Sequence, residues 1–79
     1  MSKAEVLKTR TEVIDSISVY FDVRKLTDYQ YRVNDTLDLF PVNCRYHDLQ
    51  SKRRGYYPGK SLTQHDDLIN FIDKRVEPK

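Results

Sequence analysis

The sequence predicts one α+β domain: an N-terminal helix, a three- to four-stranded antiparallel sheet, and a C-terminal helix packed on the same sheet face. Three observations predict it. Apolar residues recur at helical spacing near both ends, they alternate with polar residues in the middle, and turn-forming residues separate the alternating runs. The 79 residues form a single domain over 1–79, with no room for a second core. Only 38% of them are apolar, so in a chain this short most of the Leu, Ile, Val, Phe and Tyr side chains must pack.

The first helix is expected over about residues 3 to 22. Ser2 and Glu5 have capping-box spacing, and Met1 and Val6 stand where a hydrophobic staple would. Val6, Leu7, Val13, Ile14, Ile17, Tyr20 and Phe21 make one apolar stripe. Arg10 interrupts it: either its stem runs along the helix edge, or the helix begins later, at a second box formed by Thr9 and Glu12.

Strand-like sequence follows. Tyr29, Tyr31 and Val33 alternate with Gln30 and Arg32, Leu37 and Leu39 flank Asp38, and Asn34-Asp35 lies between as a hairpin turn. Register sharpens this. A two-residue loop would put the leucines on the face opposite the tyrosines, whereas a loop of Asn34, Asp35 and Thr36 pairs Val33 with Leu37 and Tyr31 with Leu39. An odd-length connection or a bulge is therefore expected. Pro41 ends that strand, a third is expected near residues 43–49, and Tyr56-Tyr57 begins a short fourth before Pro58-Gly59. In the second helix, Ser61 with Gln64 or Thr63 with Asp66 supplies the cap. Leu68, Ile69, Ile72 and Val76 are buried, Phe71 lies at the margin, Lys74 and Arg75 suit the last turn, and Pro78 stops it.

Charge is unevenly placed. Residues 1–42 have a net charge of −1, residues 43–60 of +4 and residues 61–79 of −1, so the overall +2 comes from one segment. Cys44 is the only cysteine, which excludes an internal disulfide and fits a reducing cytoplasm. No stretch approaches the roughly 18 apolar residues of a membrane span, and the N-terminal residues lack a signal-peptide core, so no membrane association is expected.

The basic segment is the principal candidate site. Lys52, Arg53, Arg54 and Lys60 bracket Gly55-Tyr56-Tyr57-Pro58-Gly59, with Arg45 and His47 on the preceding strand. Cations neutralise phosphates and tyrosines stack on unpaired bases, so Arg45, Lys52, Arg53, Arg54, Tyr56, Tyr57 and Lys60 are the expected nucleic-acid contacts. The plainer reading is a solvated loop whose tyrosines cap the sheet edge. Phe40, Tyr56, Tyr57 and Phe71 could instead form a self-association surface; the sequence leaves the oligomeric state open.

Catalysis has a weaker pattern. Asp38 with Gln50-Ser51-Lys52 resembles the acid and Q-x-K elements of PD-(D/E)xK nucleases, where carboxylates hold Mg²⁺ and the lysine activates water; Glu12 would be the helical carboxylate. No Pro precedes Asp38, Gln50 replaces the usual acid and the final strand is missing. Asp38 is more simply the polar side of an amphipathic strand. Cys44 and His47, with His65, fall short of the four ligands of a structural zinc site. No catalytic residue, metal or cofactor is assigned, and binding stands ahead of catalysis.

Two resemblances bear on partners. The order α-β-β-β-α with a basic segment after the strands is similar to the double-stranded RNA-binding domain. There a Lys-rich motif opens the second helix; here Gln64-His65-Asp66-Asp67 occupies that position, and its acidity opposes the family's way of clamping phosphate. Leu37-Asp38-Leu39-Phe40-Pro41, Arg45-Tyr46-His47-Asp48 and Arg54-Gly55-Tyr56 resemble segments of small uncharacterised bacteriophage proteins. That resemblance implies a phage-type accessory protein in the bacterial host cytoplasm, with no catalytic residues. Its expected partner is nucleic acid first, or an acidic host protein surface that it binds as an inhibitor.

Overall fold

A computed structural model describes residues 3–76. Helix α1 (Lys3–Ser16) leads through a 3₁₀ turn (Ile17–Val19) into five strands: β1 (Val23–Thr27), β2 (Gln30–Val33), β3 (Leu37–Phe40), β4 (Arg45–Asp48) and β5 (Arg54–Tyr56). A second 3₁₀ turn (Leu62–Gln64) opens α2 (His65–Asp73). The strands form one antiparallel meander in the order β1-β2-β3-β4-β5. The α+β class and the two terminal helices agree with the sequence. The sheet, however, has five strands, not three or four.

The extra strand is β1, which the sequence reading assigns to no element, between the end of the first helix and the run that starts at Tyr29. Helix α1 ends early, and its hydroxyls show why. Thr11 donates to the Lys8 carbonyl (2.8 Å), Ser16 to Val13 (2.6 Å) and Ser18 to Asp15 (2.7 Å). Such back-bonding competes with the regular ladder, and the chain tightens at Ile17, whose carbonyl accepts from both Tyr20 and Phe21. The tightening moves Tyr20 off the apolar stripe into solvent and keeps Phe21 in the core. Met1, Ser2 and Pro78 lie outside the described residues, and with them the Ser2–Glu5 box, the Met1 staple and the Pro78 stop.

The β2–β3 register is the one required by the apolar pattern. Val33 pairs with Leu37 and Tyr31 with Leu39 across a loop of Asn34, Asp35 and Thr36. Asn34 (φ 50°) and Asp35 (φ 60°) take the left-handed conformation, which short polar side chains tolerate best after glycine. Asn34 Oδ1 accepts from the Asp22 amide (2.8 Å), which ties the loop to the start of β1. Tyr29 does not begin β2. It sits in the β1–β2 turn, where its amide donates to Thr27 Oγ1 (3.1 Å).

One core joins both helices to one side of the sheet. Val13, Ile14, Ile17 and Phe21 meet Leu68, Ile72 and Val76 over Tyr31, Val33, Leu37 and Leu39. Arg10 does not break α1: its Nη1 reaches across to the carbonyls of Pro41 (3.3 Å) and Val42 and holds the β3–β4 loop. Neither expected cap of α2 forms as drawn. The Ser61 hydroxyl bonds Thr63 (2.6 Å), and Gln64 Oε1 accepts from the Lys60 amide (2.9 Å). His65 Nδ1 meets Ser16 Oγ (2.6 Å) and fastens α2 to the end of α1. Arg75 donates to the Phe71 carbonyl (2.9 Å) just past the helix end.

Candidate functional site

Since the helices cover one side of the sheet, the alternate residues of each strand face away from them. The ladder places these in two rows. Arg24, Arg32, Asp38, His47 and Arg54 are consecutive cross-strand partners, and Phe40, Arg45 and Tyr56 form the second row. An open cleft of about 670 Å³ lies on this side, lined by Phe40, Arg45, His47, Arg54 and Tyr56 together with Tyr29 and Val42.

The first row is internally neutralised at its β1–β3 end. Asp38 is only 3% exposed. It accepts from Arg32 Nε (2.8 Å) and Nη2 (3.2 Å) and from Gln30 Nε2 (2.9 Å). Arg24 lies near Asp22 (3.6 Å) and Asp35 (3.4 Å); Lys25, on the other side of β1 across from Tyr31, pairs with Asp28 (3.1 Å). The β4–β5 end differs. No ion pair among the described residues involves Arg45, Lys52, Arg53, Arg54 or Lys60. Arg45 turns instead to an aromatic ring: its guanidinium lies 5.3 Å from the Tyr56 centroid, and Nη2 donates to the Tyr56 hydroxyl (3.1 Å).

The turn between β4 and β5 is built on Asp48. Its Oδ1 accepts from the amides of Gln50 (3.0 Å) and Ser51 (3.2 Å), while its own amide donates to Arg53 (2.8 Å). Burial works to raise the Asp48 carboxyl. The amides of Ser51 and Gln50 outweigh it and hold the group below the usual carboxylate range. Lys52 takes φ 61° in this turn, a conformation that glycine adopts at lower cost. Gly55 answers a different need, since a Cβ there would come within 2.9 Å of the Tyr46 ring. Tyr46 is itself fixed against Phe71 (5.0 Å, interplanar angle 72°), and the Arg75 guanidinium lies 3.7 Å from the Phe71 centroid and 5.2 Å from that of Tyr46. Gly55 thus lets β5 lie close and present Arg54 and Tyr56 outward.

The sequence-predicted contacts are divided by this geometry. Arg45, Arg54 and Tyr56 line the cleft. Lys52 and Arg53 are exposed on the adjoining turn, and Lys60 lies beyond Pro58-Gly59, also exposed. Tyr57 is in the core at 4% exposure, beside Cys44, and offers no ring to a ligand. Its apolar surroundings raise its pKa, and burial pushes the Cys44 thiol up as well, with Arg10 and Lys60 opposing. Cys44 belongs to the β3–β4 turn, at φ 51°, rather than to a strand. Asp38 has both oxygens engaged by Arg32 and Gln30, while Gln50 and Lys52 belong to the turn. Among the described residues no three His, Cys, Asp or Glu side chains group as metal ligands.

The sequence reading assigns Phe40 only to a possible self-association surface, and gives Tyr29 no role. The signal for Phe40 was present, because period two turns it away from the side that buries Leu39. For Tyr29 it was not, because the strand pattern extended through it. No helix among the described residues is long and apolar enough to cross a membrane. Fold and face together define a small α+β protein with one basic, aromatic-lined side of its sheet left open. Comparison with protein-family models, with curated proteins and with solved structures gives no match.

Proposed function

We propose that this protein is a nucleic-acid-binding module whose contact surface is the β4–β5 half of the open sheet side, continued by the turn at Lys52 and Arg53. The observation that supports this reading is a set of cations left without carboxylate partners around an aromatic cleft. Exposed cations are well solvated and repel one another, so grouping them costs stability unless an anionic ligand compensates. Phosphates supply that charge, and Tyr56 supplies an apolar surface that a purely ionic contact would not use. Lys52 adds an exposed cation on the adjoining turn.

Fluorescence anisotropy with labelled oligonucleotides at about 50 and 200 mM salt tests it. Binding in the micromolar range or tighter that weakens steeply with salt is the expected result. Arg45→Glu with Arg54→Glu abolishes it at the higher salt and leaves the circular dichroism unchanged. No binding at the lower salt overturns the proposal and points to an acidic protein surface, which a pull-down surviving nuclease treatment would recover.

A further inference from the structure

Resting on the nucleic-acid reading above, we propose that the ligand is a single strand, with one unpaired base stacked on Tyr56, a neighbouring base seated against Phe40, and Arg45 between them.

The row geometry makes the first argument. Phe40, Arg45 and Tyr56 are successive cross-strand partners, and neighbouring strands lie about 4.8 Å apart. The two rings are therefore about 10 Å from each other along the row. Bases in a duplex are stacked about 3.4 Å apart along each strand and show a protein only their edges. They cannot bring a face to either ring. An unpaired strand can splay successive bases across that distance and keep its phosphates beside Arg45 and Arg54.

The second argument concerns the ring itself. Tyr56 is 67% exposed although it lies within the sheet ladder. Arg45 holds its hydroxyl at 3.1 Å, so the ring is oriented before a ligand arrives and loses little freedom on stacking. Such a ring beside a cation is the arrangement that binds bases through their π-faces.

The third argument is shape. The major groove admits a helix or a two-stranded ribbon, and here the cleft lies across β3, β4 and β5 of a five-stranded sheet. Its aromatic floor is out of reach of a closed duplex. Tyr29 and Val42, at 58% and 47% exposure, also line the cleft and add apolar surface for a further base.

The chain contains no tryptophan, so Tyr56→Trp introduces a single fluorescent reporter at the proposed stacking position. It would be titrated with an oligothymidine of about ten nucleotides, a duplex with as many phosphates and an abasic strand of equal charge, at about 50 mM salt. The single strand is expected to quench the tryptophan and to bind about tenfold tighter than the duplex or the abasic strand. By anisotropy, Tyr56→Ala is expected to lose about tenfold for the single strand, whereas Tyr56→Phe, which keeps the ring but loses its hydroxyl anchor, is expected to lose only about twofold. Equal affinity for all three ligands with an unquenched tryptophan overturns base stacking and leaves the nucleic-acid reading standing. No binding to any of them overturns both.

Discussion

The two ends of the open sheet side are built from the same residue types and do different work. At the β1–β3 end, Arg24 and Arg32 each face a carboxylate, and the most buried pair, Arg32 with Asp38, is joined by two hydrogen bonds. At the β4–β5 end, Arg45 and Arg54 have no such partner among the described residues, and Arg45 stacks near Tyr56 instead. Charge that is cancelled locally holds a sheet together. Charge that is not cancelled is available to a ligand. The net +4 of residues 43–60 therefore matters less as a total than as a lack of nearby acids.

The comparison can be broken most severely at Asp38. Asp38→Ala strands the Arg32 guanidinium and the Gln30 amide, and is expected to cost about 2–3 kcal/mol in urea unfolding. Since it also frees a cation on the open side, the affinity of the folded fraction for an oligonucleotide is expected to rise. A fall in affinity would mean that Arg32 serves only the fold. The next effect in size is Arg45→Glu with Arg54→Glu, expected to weaken single-strand binding about 30-fold at low salt and to reduce the salt slope by about 1.4. On the same side, Arg24→Glu is expected to change affinity by less than about threefold, since that cation already faces Asp22 and Asp35. A loss from Arg24→Glu equal to that from the β4–β5 pair would erase the distinction between the ends.

A smaller effect, about 1 kcal/mol, is expected for Asp48→Asn, whose amide oxygen accepts the two turn hydrogen bonds less strongly than the carboxylate. The pH dependence has a definite sign. The folded carboxyl titrates below its ordinary value of 3.8, so its contribution is fully present above about pH 4 and is lost as pH falls through the lowered folded value. Urea midpoints measured from pH 6 down to 2 are expected to fall less steeply for Asp48→Asn than for the parent. The smallest effect is at Lys52. Lys52→Gly is expected to gain about 0.5–1 kcal/mol of stability from relief of its backbone and to lose about twofold in affinity.

What the sequence discloses, and what it hides, follows from how each element is stabilised. The β2–β3 register was legible because a slip of one residue would have carried Leu37 and Leu39 out of the core. Strand β1 was not, because Val23 alone of its residues is even half-buried. It is held by pairing with β2 and by its charges, so period two leaves no apolar trace. The early end of α1 depended on three hydroxyls turning back on the helix, which propensity does not register. Within the candidate site, the adjacent tyrosines looked equivalent. Alternation sends Tyr56 outward and Tyr57 inward, and only the placement of β5 decides which is which. Arg10 announced itself by interrupting the stripe, but its partners, the Pro41 and Val42 carbonyls, lie 31 and 32 residues away.

The order of the strands bears on how this molecule is made. Every strand is paired with its neighbour in sequence, so the sheet can grow by successive short loop closures with little entropy to overcome at any step. The helices are the exception, since Ser16 and His65 must find each other across 49 residues. Until they do, Leu37 and Leu39 lack the cover that Leu68 and Ile72 provide. The slow step of folding is then the docking of α2 rather than the pairing of strands. Weakening Leu68 is then expected to slow that docking, whereas weakening the Asn34-Asp35 turn is expected to slow formation of the β2–β3 hairpin.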